Sequence, residues 1–252
     1  AIGGLLAGNN VENANYLLTA LAAAGINFLA MLAAIVFLQE SLDVKKRKPF
    51  EGFSKIITLA TFSPAKSILP LVSCGLIFYA AMSMMESIFP LWANKIFSYG
   101  PSNIGGVFFM LGSLGVIIQG GLIGRLTKLL GEKKLVQLAA LSAMTGLILI
   151  GSATFEFSLW IGLFFFGCGA ATFNPSLSSL ISKSADPSSR GQYLGHYQAA
   201  CSMGRIVGPS FSGFLYSYFH ESTPFYTGAI IAIPVLILIA SFTLRKTPKI
   251  IK

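Results

Sequence analysis

Gly124-Arg-Leu-Thr-Lys-Leu-Leu-Gly131-Glu-Lys-Lys134 is a short basic stretch with glycines seven residues apart, and long apolar runs flank it on both sides. The runs at 103–124 and 135–154 each come close to the ~20 residues a helix needs to cross a bilayer. Glycines at this spacing let a turn pass tightly between two helix ends. Its bases suit two kinds of partner, carbonyls at helix C-termini or anionic lipid headgroups. A generic positively charged turn between two spans is the other reading of the same letters.

Five more runs extend the pattern, at 15–38, 67–91, 158–182, 191–218 and 224–244, and the opening Ala1–Gly8 reads as the end of another. The runs are long and continuous rather than alternating at every second residue, which argues for helices over strands. The expected fold class is therefore an all-α membrane protein, with seven full transmembrane helices plus the end of an eighth. Composition agrees. Of 252 residues 54% are hydrophobic and only 11% charged, with a mean hydropathy of +0.72. Soluble domains average roughly 25% charged residues, so a soluble enzyme, a nucleic-acid binder and a disordered scaffold are all poor fits. The chain opens inside an apolar segment without Met, and a fragment is expected.

The net charge of +9 is explained by position. Assigning the polar stretches alternately to two sides puts 16 of the 18 Lys and Arg in 39–66, 125–134, 183–190 and 245–252. Lys95 stands alone on the other side and Arg205 lies within a run. The side rich in Lys and Arg is cytoplasmic by the positive-inside rule, which accounts for the basicity without a nucleic-acid partner. The stretch 39–66 is the longest polar segment. Phe50, Phe53, Ile56, Ile57 and Ala60 recur there at helical spacing, predicting a short interfacial helix, and Lys45–Lys48 reads as a topology determinant.

Motifs of soluble catalysis are missing: the chain has no P-loop, no GxGxxG and no HExxH. Ser63-Pro-Ala-Lys66 matches SxxK only by letters. Cys74, Cys168 and Cys201 lie inside apolar runs without metal-ligand spacing, so they read as small buried hydrophobes. No metal, no cofactor and no catalytic residue is expected, and the chain is not read as an enzyme.

A second segment carries more information: Gly191-Gln-Tyr-Leu-Gly-His-Tyr-Gln198, running on to Gly204-Arg-Ile-Val-Gly208-Pro209-Ser-Phe-Ser-Gly213. Gly204 and Gly208 form a small-xxx-small face that permits close helix contact, and Pro209 removes a backbone donor. With GRLTKLLGEKK, this stretch resembles the major facilitator superfamily. The loop resembles its second-half cytoplasmic motif between helices 8 and 9. Gly204–Gly213 resembles the helix-11 counterpart of the helix-5 antiporter motif. Gln119-Gly120 before Gly124, Asn174-Pro-Ser-Leu, and Arg190-Gly-Gln-x-x-Gly195 resemble the tetracycline-efflux branch of the drug:proton antiporters. Two departures stand out: Lys128 where the motif often has an acid, and Leu129 where a base is common.

The resemblance implies a major facilitator helical bundle. Residues 1–38 would be the end of helix 5 and helix 6 of an N-terminal half, 39–66 the central cytoplasmic loop, and 67–252 a C-terminal six-helix half. It further implies a conformational motif of Gly124, Arg125, Lys128, Gly131, Lys133, Lys134, Gly204, Gly208, Pro209 and Gly213. A bacterial inner membrane is suggested on the same ground.

Ionisable groups within a span cost several kcal/mol and normally face a cavity or a partner. Glu86 and Arg205 lie roughly 28 Å and 21 Å from the cytoplasmic ends of their runs at 1.5 Å per residue, so their side chains can meet. Helical spacing gives Glu86 the companions Tyr79, Met82 and Ser83, and gives Arg205 Gln198 and Cys201. On the resemblance, Tyr79, Glu86, Gln119, Asn174, Gln198 and Arg205 line a Met- and aromatic-rich substrate or proton site. The bland readings are an interfacial Glu86 near Pro90 and Trp92, a structural lock for Arg205, and a kink at Asn174-Pro175. His196 is expected to face the cytoplasmic vestibule, and His220 sits in an outer loop.

The expected function is proton-coupled efflux of small amphipathic molecules by alternating access. Its partners would be substrate, protons and the lipid bilayer, and the expected oligomeric state is a monomer. The alternative is a nutrient or metabolite uniporter or symporter of the same superfamily.

Overall fold

The computed structural model describes residue 6 and residues 16–38, 68–185 and 189–242. Most of Ala1–Gly8, the 39–66 loop with its expected interfacial helix, Ser63–Lys66 and the basic 245–252 segment lie outside the described residues. Those described are helical: α1 (Tyr16–Phe37), α2 (Leu69–Phe97), α3 (Pro101–Ile117), a π-helical turn (Ile118–Leu122), α4 (Ile123–Gly151), α5 (Glu156–Ser184), α6 (Arg190–Tyr218) and α7 (Thr223–Ser241).

Five helical stretches among them are long and apolar enough to cross a membrane: Leu17–Phe37, Leu69–Phe97, Pro101–Gly151, Glu156–Ser184 and Thr223–Ser241. Seven runs were expected, and two features account for the difference. The runs at 103–124 and 135–154 fall on one helical stretch of 51 residues. At 1.5 Å per residue it is roughly 77 Å long, more than twice the ~30 Å hydrocarbon core. It is broken at Gly131, whose φ of 75° and ψ of 156° are not helical. Residues 125–130, expected in a loop, stay helical, since Leu, Lys and Arg are good helix formers; only Gly131 departs. The second feature is α6, which is 29 residues long but diluted with Gly, Ser, Gln and Arg. Pro90 does not end α2, which runs on to Phe97, where Ser98 closes it in the left-handed region at φ 54°.

The chain divides into two compact units. One comprises Ala1–Ser63 and Tyr99–Phe108, the other Pro64–Ser98 and Phe109–Lys252. In the first, α1 is exposed on nearly every side with Leu17, Leu21, Phe28 and Leu29 outward. A helix apolar all round suits lipid or a larger core.

The second unit is built from two glycine-packed helix pairs. In the pair α2–α6, a Cβ on Gly204 would fall on Leu76 O and lie 2.8 Å from Ala80 N; one on Gly208 would strike Ser83 Oγ. A Cβ on Gly75 would come 2.8 Å from Tyr197 Cδ2. In the pair α4–α5, a Cβ on Gly146 would meet Phe166 N, one on Gly162 would lie 2.9 Å from Ile150 N, and one on Gly169 2.6 Å from Ala143 N. Backbones that approach this closely gain dispersion contact that lipid tails cannot supply. Helix α7 packs against α2 and α4, with Phe225 edge-on to Trp92 at 5.1 Å. The core holds Leu71, Phe78, Phe89, Trp92, Leu147, Phe166, Phe173 and Tyr197, all buried.

Candidate functional site

The α2–α6 pair is tied by polar atoms as well as by glycines. Ser83 Oγ lies 3.2 Å from Gly204 O and 3.1 Å from Ala80 O, so its single proton is shared between two carbonyls. One turn further along, the Ser87 and Ser212 hydroxyls meet at 3.0 Å. Ser83 and Ser212 are buried, and such pairing removes the cost of sequestering a hydroxyl.

Beside this seam sits the charged cluster. The Arg205 guanidinium lies over the Tyr79 ring, 4.4 Å from its centroid, a cation–π contact. Glu86 stands two turns along α2 from Tyr79 and is exposed. Among the described residues the ion pairs are Lys95–Glu221 and Lys183–Glu132, so Glu86 and Arg205 do not form one. Gln198, Ser202 and Arg205 follow one another at helical spacing and are all exposed, making a polar stripe on the flank of α6.

Several expected neighbours are elsewhere. Met82 and Ser83 are buried, as are Met84 and Met85, so the methionines expected around Glu86 are core packing. Cys201 is buried while Gln198 and Arg205 are exposed, because the glycine seam turns Cys201 toward α2. Asn174, half-buried, accepts a hydrogen bond from Tyr197 Oη at 2.8 Å. Gln119 is exposed on the π-helical turn, a geometry that recurs at functional sites. His196 is buried rather than open to a vestibule. His220 orders its own loop, with its Nδ1 accepting from Ser222 N–H at 3.2 Å. Tyr197, absent from the sequence-derived site, is fully buried and joins α6 to α5; its only signal was an aromatic on the glycine face.

The basic stretch has definite geometry. Lys133 Nζ donates to Ala240 O at 2.9 Å and Phe242 O at 2.8 Å, capping the last turn of α7 where the helix dipole is negative. Glu132 accepts from Ser179 Oγ at 3.2 Å and pairs with Lys183, joining α4 to the end of α5. Burial opposes ionisation of this carboxyl, but the Lys183 and Ser179 hydrogen bonds outweigh it and hold Glu132 below the usual carboxylate range. Arg125, Lys128 and Lys134 are exposed. The close-contact glycines of α6 end at Gly208: a Cβ on Gly213 would meet nothing within 4 Å, and Gly124 is equally open. Pro209 is half-buried within α6, its carbonyl accepting from Ser212 Oγ at 3.0 Å.

Long apolar helices knit by glycine seams define a multi-pass helical membrane protein. The sequence profile of the Major Facilitator Superfamily matches residues 120–252, and the chain belongs to that superfamily. It is 27% identical over 203 residues to the class E tetracycline resistance protein of Escherichia coli, covering 79% of this chain and 50% of that one. It is 27% identical over 222 residues to multidrug resistance protein 2 of Bacillus subtilis, covering 85% and 53%. The chain thus spans about half the length of the curated relatives it matches. The crystal structure of the human organic anion transporter MFSD10 (TETRAN) shares the fold, with a TM-score of 0.68 at 21% identity over 89% of this chain and 56% of that one.

Proposed function

We propose that this chain forms the C-terminal part, from the end of helix 5 to helix 12, of a proton-coupled carrier that exports small amphipathic molecules by alternating access. The observation that carries the reading is the Arg205–Tyr79 contact beside the α2–α6 glycine seam. It sets a fixed cation, an exposed polar stripe and a nearby carboxylate, Glu86, on helices that would line the cavity. The tetracycline and multidrug resistance relatives support an efflux substrate.

In this reading the Gly131 break divides the 51-residue stretch into two crossings, α6 supplies another, and the bundle has seven full helices plus the end of an eighth. Substrate contacts come from Tyr79, Gln119, Asn174, Gln198 and Arg205, and Glu86 exchanges a proton in competition with substrate. Gly204 and Gly208, with Pro209 beyond them, set how closely α6 approaches α2 as the halves rock. The membrane is the bacterial inner membrane, with 125–134 and 183–190 on the cytoplasmic side.

The test is substrate-triggered dissipation of a pH gradient in inverted vesicles carrying the full-length protein, with cationic, zwitterionic and anionic drugs. A response to any of them is expected, weakened in Glu86→Gln and in Arg205→Gln. Silence across the panel with folded, inserted protein overturns antiport. Unchanged coupling in Glu86→Gln removes that carboxylate from the mechanism.

A further inference from the structure

Three consecutive residues after the Gly131 break point in three directions, because successive helical positions are about 100° apart. Glu132 is taken up by Lys183 and Ser179. Lys133 is taken up by the Ala240 and Phe242 carbonyls. Lys134 is exposed, and among the described residues no carboxylate pairs with it. It stands at the head of an open groove of about 610 Å³ between α4 and α7, walled by Gln137, Leu138, Leu141, Leu236, Ile237 and Ala240. Leu141 lies roughly 10 Å along the helix axis from Lys134, so the groove has a cationic end and an apolar length.

We infer that this groove is a binding site for an anionic phospholipid, with the headgroup phosphate on Lys134 and an acyl chain along Leu138, Leu141 and Ile237. The occupant must bring both an anion and hydrocarbon. Leu138, Leu141 and Ile237 are about half exposed or more, on helices apolar enough to cross a membrane, and on the proposed carrier reading, on which this inference rests, they face lipid. Two other occupants are disfavoured by charge. The segment following α7 carries Arg245, Lys246, Lys249 and Lys252, which repel Lys134, and a second copy of the chain would present its own Lys134. A lysine at the interface attracts anionic headgroups, and Lys133 keeps the α7 end fixed beside it.

The experiment is native mass spectrometry of the full-length protein, purified from equimolar phosphatidylglycerol and phosphatidylcholine, with bound lipid counted by class. The expected result is retention of phosphatidylglycerol over phosphatidylcholine by about fivefold, the ratio that one interfacial lysine supplies. Lys134→Gln should bring the two lipids to parity, and Lys134→Arg should keep the preference, separating a charge effect from damage to the fold. Lys128→Gln should change nothing, and Leu141→Trp, which fills the groove, should lower retention of both lipids. Equal retention by the wild type, an unaffected Lys134→Gln or an unaffected Leu141→Trp each overturns the site. Loss in Lys128→Gln equal to that in Lys134→Gln also overturns it, because a diffuse basic face would then be acting.

Discussion

The pairs α2–α6 and α4–α5 use the same packing device for different ends. Both bring backbones together at glycines, Gly75, Gly204 and Gly208 in one and Gly146, Gly162 and Gly169 in the other. Apart from the Glu132 cluster with Ser179 and Lys183 at one end, the α4–α5 contact carries one hydroxyl bond, from Ser142 Oγ to Phe165 O at 2.6 Å. The α2–α6 contact carries four hydroxyl-bearing positions' worth of chemistry in Ser83, Ser87, Ser212 and Tyr79, with Arg205 at its edge. Close helix approach therefore does not itself mark a functional seam. What distinguishes α2–α6 is the polar atoms beside its glycines, each of which must be satisfied where water is scarce. The pairs meet where Tyr197 reaches Asn174 and Phe78 stacks on Phe173 at 3.5 Å, and α7 bridges them by packing on both α2 and α4.

The comparison can be broken most severely at the glycines. Gly208→Val and Gly146→Val should each destabilise by more than about 3 kcal/mol, beyond the usual range for overpacking, because the obstacle includes neighbouring backbone. Gly213→Val, facing open space, is the control and should fold. Thermal melts of detergent-purified protein read all three. A well-folded Gly146→Val would show that the apolar pair tolerates separation and that only the polar seam is rigid.

A smaller effect is expected at the link. Tyr197→Phe keeps the ring and removes the donor to Asn174, which should cost about 1 kcal/mol in the same melts. A loss near zero would mean that the aromatic stack and α7 hold the pairs together without this hydrogen bond.

The smallest effects lie at the charged ends. The Glu132 carboxyl has a lowered folded pKa, so its contribution to stability is complete above the ordinary value of 4.5 and falls away as pH drops through the lowered one. Wild type should lose melting temperature over that acid window, and Glu132→Gln should show a flatter profile there. Lys95–Glu221, at 3.3 Å with Lys95 58% exposed, is a surface pair, and Lys95→Gln should leave the melt unchanged. An equal pH response in Glu132→Gln would remove Glu132 as the source.

Helix class and the approximate ends of most helices were legible because long apolar runs and the sign of the intervening charges are local properties. So was the Gly204–Gly208 face, since its spacing lies within one segment. Gly146, Gly162 and Gly169 were not legible, because a glycine's packing partner sits on another helix and leaves no mark beside it. Nor was the partner of Trp92, which is buried and donates to Ser222 Oγ at 3.1 Å, since Ser222 lies on another segment of the chain. Of the six positions proposed for substrate or proton binding, Tyr79 and Arg205 touch and Asn174 is held by Tyr197. Spacing placed Glu86 toward Arg205 but could not anticipate that Tyr79 would take up the guanidinium.

The alternative partners that the basic stretch suggested, helix carbonyls or lipid, turn on angular phase. Glu132, Lys133 and Lys134 reach their separate surroundings only because the helix fixes their azimuths relative to Leu135 and everything after it. One residue inserted between Lys134 and Leu135 would swing all three by about 100°, withdrawing the carboxylate from Lys183 and the cap from α7 together. The chain can vary which residues occupy this corner more easily than it can vary how many there are.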